Sequence, residues 1–109
     1  PSKTVSLATA RERARQAVAL AERYGLADRP ILAPAFGWVG SFAVWMGEFD
    51  EAERWLRRAW DVAEPHIDPA AAVLLHASTG MLHAARGQHR SALQELAAAV
   101  RAVPAEAGA

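Results

Sequence analysis

The chain has 109 residues, 12 basic and 12 acidic side chains and no cysteine. That length suits one small domain or a piece of a longer array, and the balanced charge gives no overall pull toward nucleic acid or an anionic membrane. With no cysteine there are no disulfides and no thiolate metal sites, and a reducing cytoplasm is the expected location.

Alanine is abundant and β-branched residues are sparse, a helix-forming bias, and no stretch alternates as a β-strand does. In chain order, residues 7–24 form one long helical pattern, stopped by Gly25 and a short "LADRP" connection. A second helix is expected over 34–46, with Pro34 in its first turn. Gly47 separates it from a third over 48–64, ended by Pro65. Asp68-Pro69 reads as an N-cap followed by proline at the first helical position, opening a fourth helix that reaches Arg86. Gly87 breaks it, and a fifth spans 89–103 before Pro104. The tail "AEAGA" is expected to fray. The first residues show no basic-then-apolar pattern, so no signal peptide is expected among them. The uncharged stretches 31–47 and 69–85 are 17 residues each, the short limit for a bilayer span. They are broken by proline and glycine or carry histidines, and read as buried helices.

A shift of forty residues superposes Gly40 on Gly80, Gly47 on Gly87, Ala52 on Ala92, Leu56 on Leu96 and Ala59 on Ala99. Small residues at these spacings let helix backbones approach closely and make tight turns between paired helices. The unit is therefore a helical hairpin stacked on its neighbour. The spacing G-x6-G-x4-A-x6-A, with a leucine three before the last alanine and Pro104 after the second copy, resembles a tetratricopeptide repeat. It departs from that pattern at His76, Ala43 and His83, which stand where large aromatics are usual, and in its period of forty. Residues 7–24, with Ala10, Ala17 and Ala21 matching Ala52, Ala59 and Ala63, look like the second helix of a preceding hairpin. Residues 34–64 and 69–103 are then the two complete hairpins of a single 1–109 fragment of a longer solenoid. The resemblance implies an all-α, right-handed superhelix of about five antiparallel helices. Phrases such as "ARGQHRSALQELAAAV" also look like the helical-repeat region of large bacterial LuxR-type transcriptional regulators.

Four carboxylates, Glu48, Asp50, Glu51 and Glu53, crowd the start of the third helix, where they favour the positive end of the helix dipole. Arg54, Arg57 and Asp61 follow at i,i+4 spacing, so the cluster reads as a solvated helix face and not as a metal site. His76 and His83 are seven apart, about 10 Å along a helix axis, too far to share a metal; four apart is the ligand spacing. His66 lies in a connection and His89 opens the last helix. No nucleophile motif or phosphate loop occurs, so no catalytic, metal or cofactor residues are assigned. Residues 20–32 mimic a DNA-binding helix-turn-helix, but the helix that would enter the groove is interrupted by Pro34, and no Lys or Arg follows Arg29 until Arg54.

Trp38, Phe42, Trp45 and Phe49 recur on one helix face, expected as core between hairpins. By resemblance, the first helix of each hairpin lines a concave groove, which places Pro34, Gly37, Ser41, Val44 and Trp45 there, followed by Leu74, Ala77, Met81, Ala84 and Ala85. The contact residues expected for a partner are Ser41, Val44, Trp45, Leu74, Ala77 and Met81. The groove lacks the basic clamp that grips peptide carboxylates. An apolar groove does not face water unaccompanied: a neighbouring repeat, a second copy of the chain forming a homodimer, or an apolar ligand or peptide would cover it. Residues 1–29 carry six basic and three acidic groups, and 48–68 three basic and seven acidic, so the first and third helices should pair by charge. The expected function is a non-catalytic, cytoplasmic protein-interaction or ligand-sensing module of a LuxR-type regulator. The alternative is a generic scaffold or self-association domain unrelated to transcription.

Overall fold

The corners of the chain are set by glycine. Gly47 and Gly87 adopt φ of 78° and 77°, a left-handed conformation that side chains with a Cβ avoid. At each corner the same two hydrogen bonds close the helix. Glu48 N–H reaches Ala43 O at 2.9 Å and Gly47 N–H reaches Val44 O at 3.0 Å. Forty residues on, Gln88 N–H reaches His83 O at 2.8 Å and Gly87 N–H reaches Ala84 O at 3.0 Å. This is the Schellman closure, in which glycine frees the chain to double back.

These corners organise a computed structural model that describes residues 6–63 and 67–105. Its helices are α1 (Leu7–Arg23), α2 (Ala33–Trp45), α3 (Phe49–Ala63), α4 (Pro69–Ala85) and α5 (His89–Ala102), with one 3-10 turn over Pro30–Leu32. The protein is all-α, with no strand among the described residues. Apart from the far end of α3, each helix end lies within one residue of the bound expected from sequence. The 3-10 turn is an addition: it occupies part of what read as a plain connection, and Pro30 opens it. The expectations for residue 64, Pro65, His66 and the last four residues lie outside the described residues. Asp68 caps α4 as expected, accepting from Ala70 N at 3.3 Å and Ala71 N at 3.1 Å, with Pro69 following. Ser6 caps α1 through Thr9 N.

Close packing then follows from the small residues. A Cβ on Gly40 would lie 2.8 Å from Leu56 Cγ, and one on Gly80 would lie 3.0 Å from Leu96 Cγ. The same leucine thus rests on the same glycine in both hairpins, α2–α3 and α4–α5. Between hairpins the register is parallel. Gly37 meets Leu75 and Ser41 meets Ser78, so α2 and α4 run side by side in the same direction. Arg11 pairs with Glu48, Arg15 with Glu51 and Glu22 with Arg58, so α1 and α3 do likewise. Successive hairpins are therefore stacked copies. The core sits around α2 and α3, where Phe36, Val39, Ala43, Ala52, Leu56 and Ala59 are buried with Val18 of α1 and Leu75 of α4. No helix among the described residues is long and apolar enough to cross a membrane.

Candidate functional site

The acidic run at the start of α3 is consumed by structure. Glu48 and Glu51 both pair with Arg11, and Glu51 also pairs with Arg15. Asp50 reaches Arg86 at 2.8 Å, and Glu53 meets both Arg86 and Arg57. Charge does pair α1 with α3, as the segregation along the sequence implied. The expected Asp50–Arg54 pair gives way to Asp50–Arg86, because the turn after α4 brings Arg86 over the start of α3. Pairs of this kind at a surface contribute about 0–1 kcal/mol each, so they fix register more than stability. Among the described residues no group of three or more His, Asp or Glu converges as a metal site.

His76 is structural in its contacts: Nδ1 lies 2.7 Å from Glu95 Oε2, and the ring packs on Trp60 with centroids 4.6 Å apart. Trp60 in turn donates from Nε1 to Thr79 Oγ1 at 3.1 Å. His83 bonds Gln88 across the α4–α5 corner. The two histidines serve different contacts and share none. Beside them a cleft of about 320 Å³ runs between α3 and α4, floored by Leu56, Trp60, Thr79 and Leu82. Of its charged rim, Glu53 is paired with both Arg57 and Arg86, and Asp61 lines the cleft beside them.

The surface that stands out lies on α2. This helix is apolar nearly all round, which let the sequence identify it as buried but not say which side is open. It packs on α1, α3 and α4, burying Phe36, Val39, Gly40 and Ala43 among other residues. The remaining side carries Trp38 and Trp45, 45% and 46% exposed, in line with Ile31, 82% exposed, of the preceding 3-10 turn. Phe42 sits between the tryptophans, stacked on Trp38 with centroids 5.9 Å apart and edge-on to Trp45 at 5.5 Å. Such contacts satisfy part of each ring and leave the outer faces to water. An apolar pocket of about 330 Å³, lined by Pro30, Ile31, Ala33, Pro34, Ala63 and Ala71 among others, continues the strip at its Ile31 end.

This corrects two expectations. The set Trp38, Phe42, Trp45 and Phe49 was expected to be core, yet only Phe49 packs against it; both tryptophans are half open. Of the six expected contact residues, Trp45 alone lies on the open side of α2. Ser41 is 1% exposed and Val44 is also buried. Ser41 donates to Gly37 O at 2.8 Å, and its Oγ lies 2.5 Å from Ser78 Oγ, so it belongs to the α2–α4 contact. Gly37 is filled by Leu75 and by the half-buried Leu74. Ala77 and Met81 are half-buried on α4, Met81 against the core. Of the six, Ser41 and Val44 are buried, Leu74, Ala77 and Met81 are half-buried, and Trp45 is the exposed one. Sequence reasoning missed Trp38 and Ile31 as surface; the signal that finds them is their repeat position, since Trp38 aligns with the close-packed Ser78. Comparison with protein-family models, curated proteins and solved structures finds no match to this chain.

Proposed function

We propose that the chain is a non-catalytic interaction module of tetratricopeptide-like hairpins, and that the strip Ile31–Trp38–Phe42–Trp45 is its contact surface. One observation carries this reading: two tryptophans on one face of an otherwise buried helix lie open in line with an isoleucine of the 3-10 turn before it. Contiguous apolar surface of this kind marks interaction sites, and tryptophan is among the residues that dominate interface energetics. The partner is a protein or peptide with an apolar face. A place in a LuxR-type transcriptional regulator, and with it a cytoplasmic location, is part of the same proposal and rests on the likeness of the repeat phrases. An upstream phosphate loop and a downstream helix-turn-helix in the full reading frame would support it.

Trp38→Ala and Trp45→Ala test the surface. Each should leave the helical circular-dichroism signal intact and lower stability by only about 1 kcal/mol, while reducing the binding of an apolar-surface dye. A loss of about 3–5 kcal/mol, the range for a buried aromatic, would make the strip core and end the proposal. Self-association is the second reading, favoured by a further open face on α5, where Leu93, Leu96 and Val100 are exposed. Light scattering separates it: a monomer at high concentration removes it.

A further inference from the structure

We propose that the cleft between α3 and α4 binds a small carboxylic acid with an apolar body, held by Arg57 over a floor of Leu56, Trp60 and Leu82. This site is separate from the α2 strip. It also differs from the open faces of α2 and α5 in lying inside the stack. The helices that wall it are both in the described chain, so no further hairpin of a solenoid is called for to fill it.

The repeat shows why the cleft is open. α1 and α3 flank α2 as α3 and α5 flank α4. Across the first of these valleys Arg11 reaches Glu48 and Arg15 reaches Glu51, with the Arg11 side chain only 13% exposed. At the second valley Glu53 and Arg57 hold the places of the two arginines, and Gln88 and Ser91 those of the two acids. Neither bridge is kept. Glu53 turns to Arg86 and Arg57, and Gln88 is held by His83. Arg57, whose counterpart Arg15 spans to the next hairpin, stands opposite a serine. Its side chain is 71% exposed, and its one ion pair among the described residues is with Glu53 of its own helix, at 3.3 Å. Where the first valley holds a charge bridge, the second holds a cleft of about 320 Å³, the small end of the range for ligand sites.

The group missing from the second valley is a carboxylate. A ligand that supplies it in the place of Glu51's accepts from the Arg57 guanidinium, whose planar fork of donors matches a carboxylate. Beneath Arg57 the floor is apolar. Leu56 and Leu82 line it, with the Trp60 indole, whose one N–H already donates to Thr79 at 3.1 Å. An apolar body lying on this floor leaves water. Glu53 and Asp61 stand one turn to either side of Arg57. They repel further negative charge, so the rim selects a monocarboxylate over a phosphate or a polyanion.

The test uses the whole chain, with phenylpropionate as the probe and phenylpropanol as its uncharged counterpart, followed by proton–nitrogen correlation NMR. Phenylpropionate should shift the Trp60 indole and Thr79 amide signals saturably, and phenylpropanol should bind about tenfold more weakly. Arg57→Gln should remove that difference, weakening the acid about tenfold and leaving the alcohol unchanged. Ser91→Glu rebuilds the bridge of the first valley and should also weaken the acid about tenfold, whereas Ser91→Gln, of the same size, should not. Without any ligand, Ser91→Glu should raise the unfolding midpoint, and part of that gain should vanish in the Arg57→Gln background. The remainder belongs to the new charge at the start of α5. Acid and alcohol bound alike, or acid binding indifferent to Arg57→Gln and Ser91→Glu, overturns the proposal. So does a Ser91→Glu gain that Arg57→Gln leaves whole. Absence of saturation at millimolar probe, or shifts confined to Trp38 and Trp45, overturns the cleft as the site and leaves the α2 strip as it stands.

Discussion

Leu56 in the first hairpin is 2% exposed, and its counterpart Leu96 in the second is 39% exposed, although each leans on a glycine of its paired helix in the same way. Serine and tryptophan show the inverse contrast: Ser78 is buried between α2 and α4, while Trp38, at the same repeat position, is open. The residue type does not decide which is core. What decides it is whether another helix lies beyond, since α3 has α4 against it and the matching face of α5 has no neighbour among the described residues. In a stack of hairpins, burial is a property of position in the stack, and each terminal unit presents the surface its neighbours have hidden. The open face of α2 matches the face by which α4 meets α2, and that of α5 matches the face by which α3 meets α4.

The largest effect expected from this comparison separates the two leucines. Leu56→Ala should cost about 2–5 kcal/mol, as deletion of a buried leucine does. Leu96→Ala should cost about 1 kcal/mol, because much of its side chain is already in water. Urea denaturation of the two variants reads the difference, and equal losses would break the comparison.

The glycines beneath them come next. Gly40→Ala places a Cβ 2.8 Å from the Cγ of a leucine that is only 2% exposed, and overpacking of this kind costs about 1–3 kcal/mol. At Gly80 the half-exposed Leu96 can swing outward, though Ala92 O, a backbone atom, stays 3.3 Å away; with the gain in helix propensity of about 1 kcal/mol for glycine to alanine, Gly80→Ala should cost clearly less than Gly40→Ala. Thermal unfolding of both variants gives the order; a Gly80→Ala loss as large as that of Gly40→Ala would place Leu96 in a rigid core.

Why some of this was legible in the sequence, and some not, follows from the same residues. Gly47, Gly87, Ala52 and Leu56 recur because turns and helix contacts tolerate few alternatives there, so the hairpins and their bounds could be read directly. The face of α2 could not, because Ala33 to Trp45 holds no charge and a uniformly apolar helix gives its periodicity nothing to report. Ser41 was expected to line a groove; its hydroxyl is used inside the α2–α4 contact, where Ser78 meets it. Asp50 was assigned to its own helix because i,i+4 spacing is visible in sequence, and its partner Arg86, thirty-six residues away, is not.

The serine pair offers the smallest and most specific effect. Ser41→Ala and Ser78→Ala should each cost about 1 kcal/mol, the net worth of a buried hydrogen bond. The double variant should cost less than the two together, since both hydroxyls share one bond. Additive losses would mean that the two serines act independently and that α2 and α4 are not held at this point.

Native-state hydrogen exchange measures the central claim most directly, because it reports the opening free energy of each helix separately. If position in the stack decides stability, amides of α3 (Phe49–Ala63) exchange only through global unfolding, while those of α5 (His89–Ala102) open at a clearly lower free energy despite sharing the same repeat residues. Equal protection of the two helices would contradict the account.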